Sequence, residues 1–207
     1  MTEITKDHVE WAMVGRLRLM LEEPPHQTFN VTQTYALFTS VLCWVMQRVR
    51  IKSHEVVSKD DKEASSLFKR LEGDSISADP WRLHVAPTGR IERVGALGVP
   101  VPMPRGFEAH TAARFLINLR DATAHGDARN VEPFNNGSLL VGFTFSCAEF
   151  KNRKIAWDGS ITLLEADLRR IGIQLAKLYC DAIRHSEPHR RDGHFGNDAA
   201  SIKEVAA

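Results

Sequence analysis

Cysteine is scarce in this chain. Three occur in 207 residues, Cys43, Cys147 and Cys180, an odd number at wide spacing, each inside an apolar run. That excludes a disulfide framework and reads as buried free thiols of a reducing compartment, so a cytoplasmic location is expected. An excess of charge of one sign is also missing: 27 Lys and Arg stand against 26 Asp and Glu, a net +1. No global field draws nucleic acid or membrane, and a polyanion has to be met by a local patch. The apolar stretch Tyr35 to Met46 falls well short of the ~18 residues a spanning helix needs, so no membrane partner is expected. The N-terminal segment carries Glu3, Lys6, Asp7 and Glu10 instead of a basic-then-apolar layout, so no export signal is expected. Phosphate loop, glycine-rich dinucleotide fingerprint, nucleophile elbow and paired-cysteine zinc motif are all absent, and with them most familiar enzyme classes.

What is present is a core. Hydrophobic residues make up 43% and charged residues 26%, which predicts one globular domain at ~150 residues per domain. Val9, Trp11, Met13, Val14, Leu17 and Met20 form an apolar stripe that ends at Pro24-Pro25, predicting a helix over about 3–22. Asn30 with Gln33 reads as a capping box, and Val31, Tyr35, Phe38, Leu42, Val45 and Val49 carry a second helix to about Ser53. A short amphipathic helix spans Lys62 to Leu71. From Gly73 to Gly106 helical period is lost and five prolines occur; alternation at Trp81, Leu83 and Val85, then Ile91 and Val94, suggests a β-hairpin, and Val99 to Pro104 an extended polyproline-like run. A fourth helix is predicted from Glu108 to His125, stopped by Gly126. Leu139 to Ala148 alternates as a half-buried strand, Lys154 to Trp157 returns, and a Thr162/Glu165 capping box opens a last helix to about Arg184. The expected fold is mainly α: an antiparallel helical bundle over 1–185 with one or two inserted β-hairpins, a Pro/Gly-rich insertion at 73–107 and a hairpin at about 138–158, followed by a flexible tail over 186–207.

The chemistry-bearing candidate is Arg120-Asp121-Ala122-Thr123-Ala124-His125-Gly126. Spacing alone says little, because 18 Arg and 9 His produce such pairs by chance. Arg48 with His54 has Val49 after the Arg, Arg105 with His110 is broken by Gly106, and Arg184 with His189 contains Pro188. Only Arg120 and His125 combine a helical setting, a polar neighbour, two small alanines and a terminating glycine. This segment resembles the mark of the HEPN superfamily, helical-bundle proteins of nucleic-acid processing and microbial conflict systems: an Arg, usually followed by a polar residue, and a His after four to six intervening positions. The resemblance covers the motif and the helix–insertion–helix plan around it; the Pro-rich insertion and the hairpins are not part of the minimal family core.

The resemblance implies a metal-independent endoribonuclease, and elementary chemistry suits it. Cleavage of RNA through its own 2′-hydroxyl needs a group that exchanges a proton near neutral pH, for which an imidazole of pKa ~6.5 serves, and a fixed cation at the phosphorane, for which a guanidinium serves. His125 is then the acid or base and Arg120 the phosphate clamp. Asp121, four residues before His125, is placed to orient the imidazole, and Thr123 to bond substrate. Positions five apart on a straight helix diverge by about 140°, so both side chains reach one phosphate if the helix frays at Gly126 or if two copies pair, and a homodimer is the arrangement the family resemblance implies. Lys151, Arg153 and Lys154 at a predicted hairpin tip are candidate phosphate contacts. RNA is the expected partner, an antitoxin protein a further one, and toxin or effector the biological role the resemblance carries. No cofactor or metal is expected. His185, His189 and His194 lie in a glycine-rich tail without fixed geometry for a metal. Trp11 and Trp44, on apolar helix faces, are expected in the core, while Trp81 in the loop is open either to core packing or to base stacking. A plain structural role competes throughout: cations suit a helix C-terminus because of its dipole, and a catalytically silent module binding RNA, nucleotide or a protein partner is the alternative function.

Overall fold

The structure is a computed structural model and describes residues 9–51, 53–83, 92–94, 99–124 and 130–183. In chain order its elements are α1 (Val9–Glu22), α2 (Asn30–Val49), a short 3-10 turn (Ser53–Glu55), α3 (Lys59–Gly73), β1 (Glu92–Val94), β2 (Pro100–Pro102), α4 (Ala112–Ala124), β3 (Val131–Asn136), β4 (Leu139–Lys151), β5 (Lys154–Leu164) and α5 (Glu165–Ala182). Helices α1, α2 and α5 pack on one another, and α4 lies between α2 and strand β4, with α3 against α2, α4 and α5. The core runs through both layers: Leu21, Phe38 and Leu42 from the first helices, Phe115, Leu116 and Leu119 from α4, Phe145 and Leu163 from the sheet, and Leu168, Ile171 and Leu175 from α5. No helix among the described residues is long and apolar enough to cross a membrane.

The expected mainly α bundle is corrected by the sheet. Among the described residues five α-helices stand beside strands β3, β4 and β5, which form an antiparallel sheet in that order, so the fold is an α/β mix. Val131 faces Phe145, and Phe145 faces Ile161. The edge strand β3 contains Pro133, which cannot donate to a ladder and is tolerated only at an edge; that breaks the sequence pattern of a strand. Strand β5 continues from Trp157 to Leu164 instead of stopping at Trp157. Its last four residues are all buried, so the alternation that marks a half-buried strand disappears there.

The helix caps differ from expectation for the same reason. Thr162 sits in β5 with its hydroxyl 2.9 Å from that of Thr144, and the backbone N–H of Leu164 donates to Asp167 at 3.3 Å instead. At α2, Asn30 makes no cap; Gln33 accepts from the N–H of His26 at 2.7 Å, and α2 ends at Val49, short of Ser53. The fourth helix starts at Ala112, after a turn through Glu108, and is described to Ala124. In the Pro-rich insertion, β1 pairs with β2, so Pro100–Pro102 is a paired strand and not a free polyproline run, while most of the hairpin expected between Trp81 and Val94 lies outside the described residues. Trp81 and Leu83 are buried in a tight loop closed by Leu83 N–H donating to the Ile76 carbonyl at 2.8 Å. Val85, Ile91 and the tail from Ser186 lie outside the described residues. Trp11 is in the core as expected; Trp44, expected there too, is 38% exposed, and Trp81 takes the core-packing use of the two left open to it, fully buried.

One buried carboxylate ties three elements together. Asp61, in the first turn of α3, accepts from the N–H groups of Val57 and Ser58 at 3.0 and 2.7 Å, while its own N–H donates to the Ser58 hydroxyl at 3.1 Å. Its other oxygen meets the Arg48 guanidinium of α2 at 2.5 Å, and Arg48 also reaches Glu10 of α1 at 2.7 Å. Burial alone would raise the Asp61 pKa; the hydrogen bonds from Ser58, Arg48 and Val57 outweigh it and hold the group well below the ordinary carboxylate range. Asp61→Ala removes both the reciprocal cap and the partner of a half-buried guanidinium, at a cost of roughly 3 kcal/mol. Calorimetry is expected to show Tm lowered by about 6–12 °C, and a change under about 2 °C contradicts this role for Asp61.

Candidate functional site

Helix α4 presents two sides. Its apolar side, Phe115, Leu116, Leu119 and Ala122, enters the core. Arg114, Asn118 and Asp121, at i, i+4 and i+7, share the other side and line a cleft of about 1090 Å³ whose remaining walls come from α3, from Ser146 to Phe150 of β4, and from Asp158 and Gly159 of β5.

At the last turn of α4, Arg120 is held on both sides. Its Nη1 donates to Asp121 Oδ1 at 2.7 Å and its Nη2 to Gln47 Oε1 of α2 at 3.0 Å, with 29% of the side chain exposed. The Thr123 hydroxyl donates to the Arg120 carbonyl at 2.8 Å. Thr123 lines a separate shallow depression with Tyr35, Cys43 and Trp44, so it does not share the cleft of Asp121. Asp121 Oδ1 accepts from Arg120, so among the described residues Asp121 orients a guanidinium; the expected contact with the His125 imidazole lies outside them. His125 and Gly126 lie outside the described residues. Lys151, Arg153 and Lys154 are exposed at the β4–β5 turn and line neither depression, although Glu149 and Phe150 beside them line the cleft. The structure brings Arg120, Asp121 and Thr123 to one helix end, with the hairpin cations on a different element, the β4–β5 turn.

Sequence reasoning misses a highly connected polar group that borders the cleft. Glu149 of β4 receives the Arg114 guanidinium bidentately, Nε to Oε1 at 2.8 Å and Nη2 to Oε2 at 2.9 Å, and the Asn118 amide at 3.0 Å. The same amide nitrogen lies 3.2 Å from His110 Nε2. An ionised carboxylate only accepts, so the amide nitrogen must face Glu149 and also donates to Nε2; the imidazole is neutral with its proton on Nδ1. His110 is 4% exposed, packs against Phe107 and Trp157 at centroid distances of 4.9 and 4.5 Å, and its Nδ1 has no hydrogen-bond partner among the described residues. Burial, reinforced by the Arg114 charge, pushes its pKa down to about 4. The Arg114 hydrogen bonds hold the Glu149 carboxyl below its ordinary range. Two signals were available: the polar i, i+4, i+7 stripe on α4, and a carboxylate in the inward register of Phe143, Phe145 and Cys147.

Cys147 closes the cleft floor. Its thiol donates to the Asn118 carbonyl at 3.4 Å, and burial, with the Asp121 carboxylate adding to it, pushes its pKa up to about 12. It stays a thiol at neutral pH and supplies no nucleophile. Among the described residues no group of three or more His, Cys, Asp or Glu side chains converges as metal ligands. No family model, curated protein or solved structure matches this chain. The functional reading rests on the chain's own residues.

The buried imidazole sets a pH window. The unfolded chain takes this proton near pH 6.5 and the folded chain only near 4, so between those values the unfolded state binds more protons and stability falls as pH falls. The His110 contribution amounts to roughly 3 kcal/mol between pH 7 and pH 4. Urea melts are expected to show His110→Asn losing less stability than the parent over that range; parallel pH profiles of the two proteins contradict it.

Proposed function

We propose that the protein is a metal-independent endoribonuclease that works in the cytoplasm as a homodimer, with Arg120 as phosphate clamp and His125 as general acid or base. The observation that carries this reading is the held guanidinium of Arg120 at the end of α4, five residues before His125 in the segment that resembles the HEPN mark. Asp121 and Gln47 fix its plane, yet among the described residues they take only two of its N–H groups, and a guanidinium has five. The others remain for a phosphodiester, and a donor whose direction is already set spends little entropy on binding it. Asp121 is a positioning residue in this scheme. An imidazole carried near the same phosphate takes the 2′-hydroxyl proton as base, or protonates the departing 5′-oxygen as acid. The products are a 2′,3′-cyclic phosphate and a 5′-hydroxyl. A role as toxin or effector, with an antitoxin protein as partner, belongs to the same proposal.

The test is incubation of the full-length protein with a mixed-sequence RNA in excess EDTA, followed by end-group analysis. Cleavage with cyclic-phosphate ends is expected, with the 2′-deoxy strand intact. His125→Ala and Arg120→Ala are each expected to lower the rate by about 100-fold or more. RNA that is bound but left intact by the parent supports instead a silent binding module, the competing reading. Cleavage abolished by EDTA and restored by a divalent ion would overturn the metal-independent scheme.

A further inference from the structure

The β4–β5 hairpin ends in a tip that stability does not explain. Lys151 and Lys154 are direct cross-strand partners, and like charges placed opposite one another weaken a hairpin. Arg153 sits between them in the turn, where Asn152 and Arg153 have φ of 51° and 62°; neither is a glycine, so the tight turn is kept at a conformational cost. None of the three cations forms an ion pair among the described residues. The next rung inward is apolar: Phe150 faces Ile155, and these are 69% and 63% exposed. A tip that served solubility alone would have the charges and not the exposed aromatic.

Its direction is fixed. Glu149, the residue before Phe150, is anchored to Arg114 and Asn118. The β4–β5 register shifts between Glu149 and Phe150, a bulge that bends the strands and re-aims the tip beyond it. Phe150 also lines the mouth of the cleft that Asp121 borders.

We infer that this tip is a contact for single-stranded RNA, with a base stacked on Phe150 against Ile155 and the flanking phosphates taken by Lys151, Arg153 and Lys154. The inference rests on RNA being the substrate. An anionic strand relieves the cation repulsion, and an unpaired base supplies a flat apolar partner for an exposed ring; duplex RNA, with its bases stacked inside, supplies only the first.

The experiment is fluorescence anisotropy of a short labelled oligouridine with full-length His125→Ala protein, alone and combined with tip substitutions. Phe150→Ala is expected to weaken binding about tenfold. Joint replacement of Lys151, Arg153 and Lys154 by Gln is expected to reduce the slope of log affinity against log salt by about 2. The tip is exposed, so Tm should stay within about 2 °C and confirm folding. Weaker binding of an RNA duplex of equal length is expected. Absence of oligouridine binding, equal affinity in all variants, or tip-dependent binding to phosphatidylserine vesicles with unchanged oligouridine binding would each overturn the inference, the last by assigning the tip to a membrane surface. Cleavage by the parent protein is measured in parallel. If RNA is cleaved but the tip variants bind like the parent, the tip assignment falls and the nuclease reading stands; if binding depends on the tip and no cleavage occurs, the reverse holds.

Discussion

The carboxylate of Glu149 is the point at which helix and sheet are locked together. It takes three hydrogen bonds from α4, two of them a parallel fork from Arg114, and charge-assisted bonds of this kind are stronger and more directional than neutral ones. Through Asn118 the same network reaches His110 in the turn before the helix. Apolar packing of α4 on β4 would tolerate sliding by part of a residue, since side chains on either surface can re-seat. A bidentate fork does not, because both oxygens must meet both nitrogens at once. The width of the cleft, the direction of the hairpin and the placement of the α4 C-terminus all depend on that register.

The network also explains an otherwise awkward burial. A histidine inside an aromatic cluster would be disfavoured if charged, and its neutral form still needs an acceptor satisfied at Nε2. Asn118 meets that need because its second N–H is already committed to Glu149. Were Asn118 apolar, the ring would lose its donor and Glu149 one of its three bonds. The polar residue at this buried helix position is thus required by its neighbours on both sides, and the neutral imidazole is a result of geometry as much as of burial.

Legibility in the sequence depended on how far each element keeps a simple period. Helices α1, α2, α4 and α5 were readable because one face of each is buried and the other wet, so apolar residues recur at helical spacing. Strand β4 was readable up to Ala148 for the matching reason at period two. The misses share a cause: Pro133 hides an edge strand, the buried run from Ile161 to Leu164 has no wet face to alternate with, and Trp81 and Leu83 are held by turn bonds that imitate alternation. The underestimate of strand, which made the fold look mainly α, came from β3 and the second half of β5. For the site, Arg120, Asp121 and Thr123 were legible as a group because they are neighbours in the chain. Glu149 and His110 were not, because nothing local links positions 110 and 149; only the pairing of β4 beside α4 does.

The two ends of the candidate surface differ in how they are held, and the difference bears on what each can do. Arg120 is clasped by an adjacent carboxylate and by a glutamine of α2, so under the proposed function a phosphate would meet a guanidinium already oriented but partly neutralised. That favours a group that must sit at one place while charge develops on a phosphorane, since a fixed dipole or cation gains most where charge appears during reaction. The hairpin cations are exposed and form no ion pair among the described residues, which favours capture of a strand at longer range and tolerance of where along it the contact falls. Beside the hairpin cations stands one exposed aromatic, Phe150, which lines the cleft directly after the anchored Glu149. A rigid point next to an exposed ring restricts the approach of a base more than the long, freely rotating side chains of the turn can, so the strand's register would be set at Phe150 and its charge matched on either side.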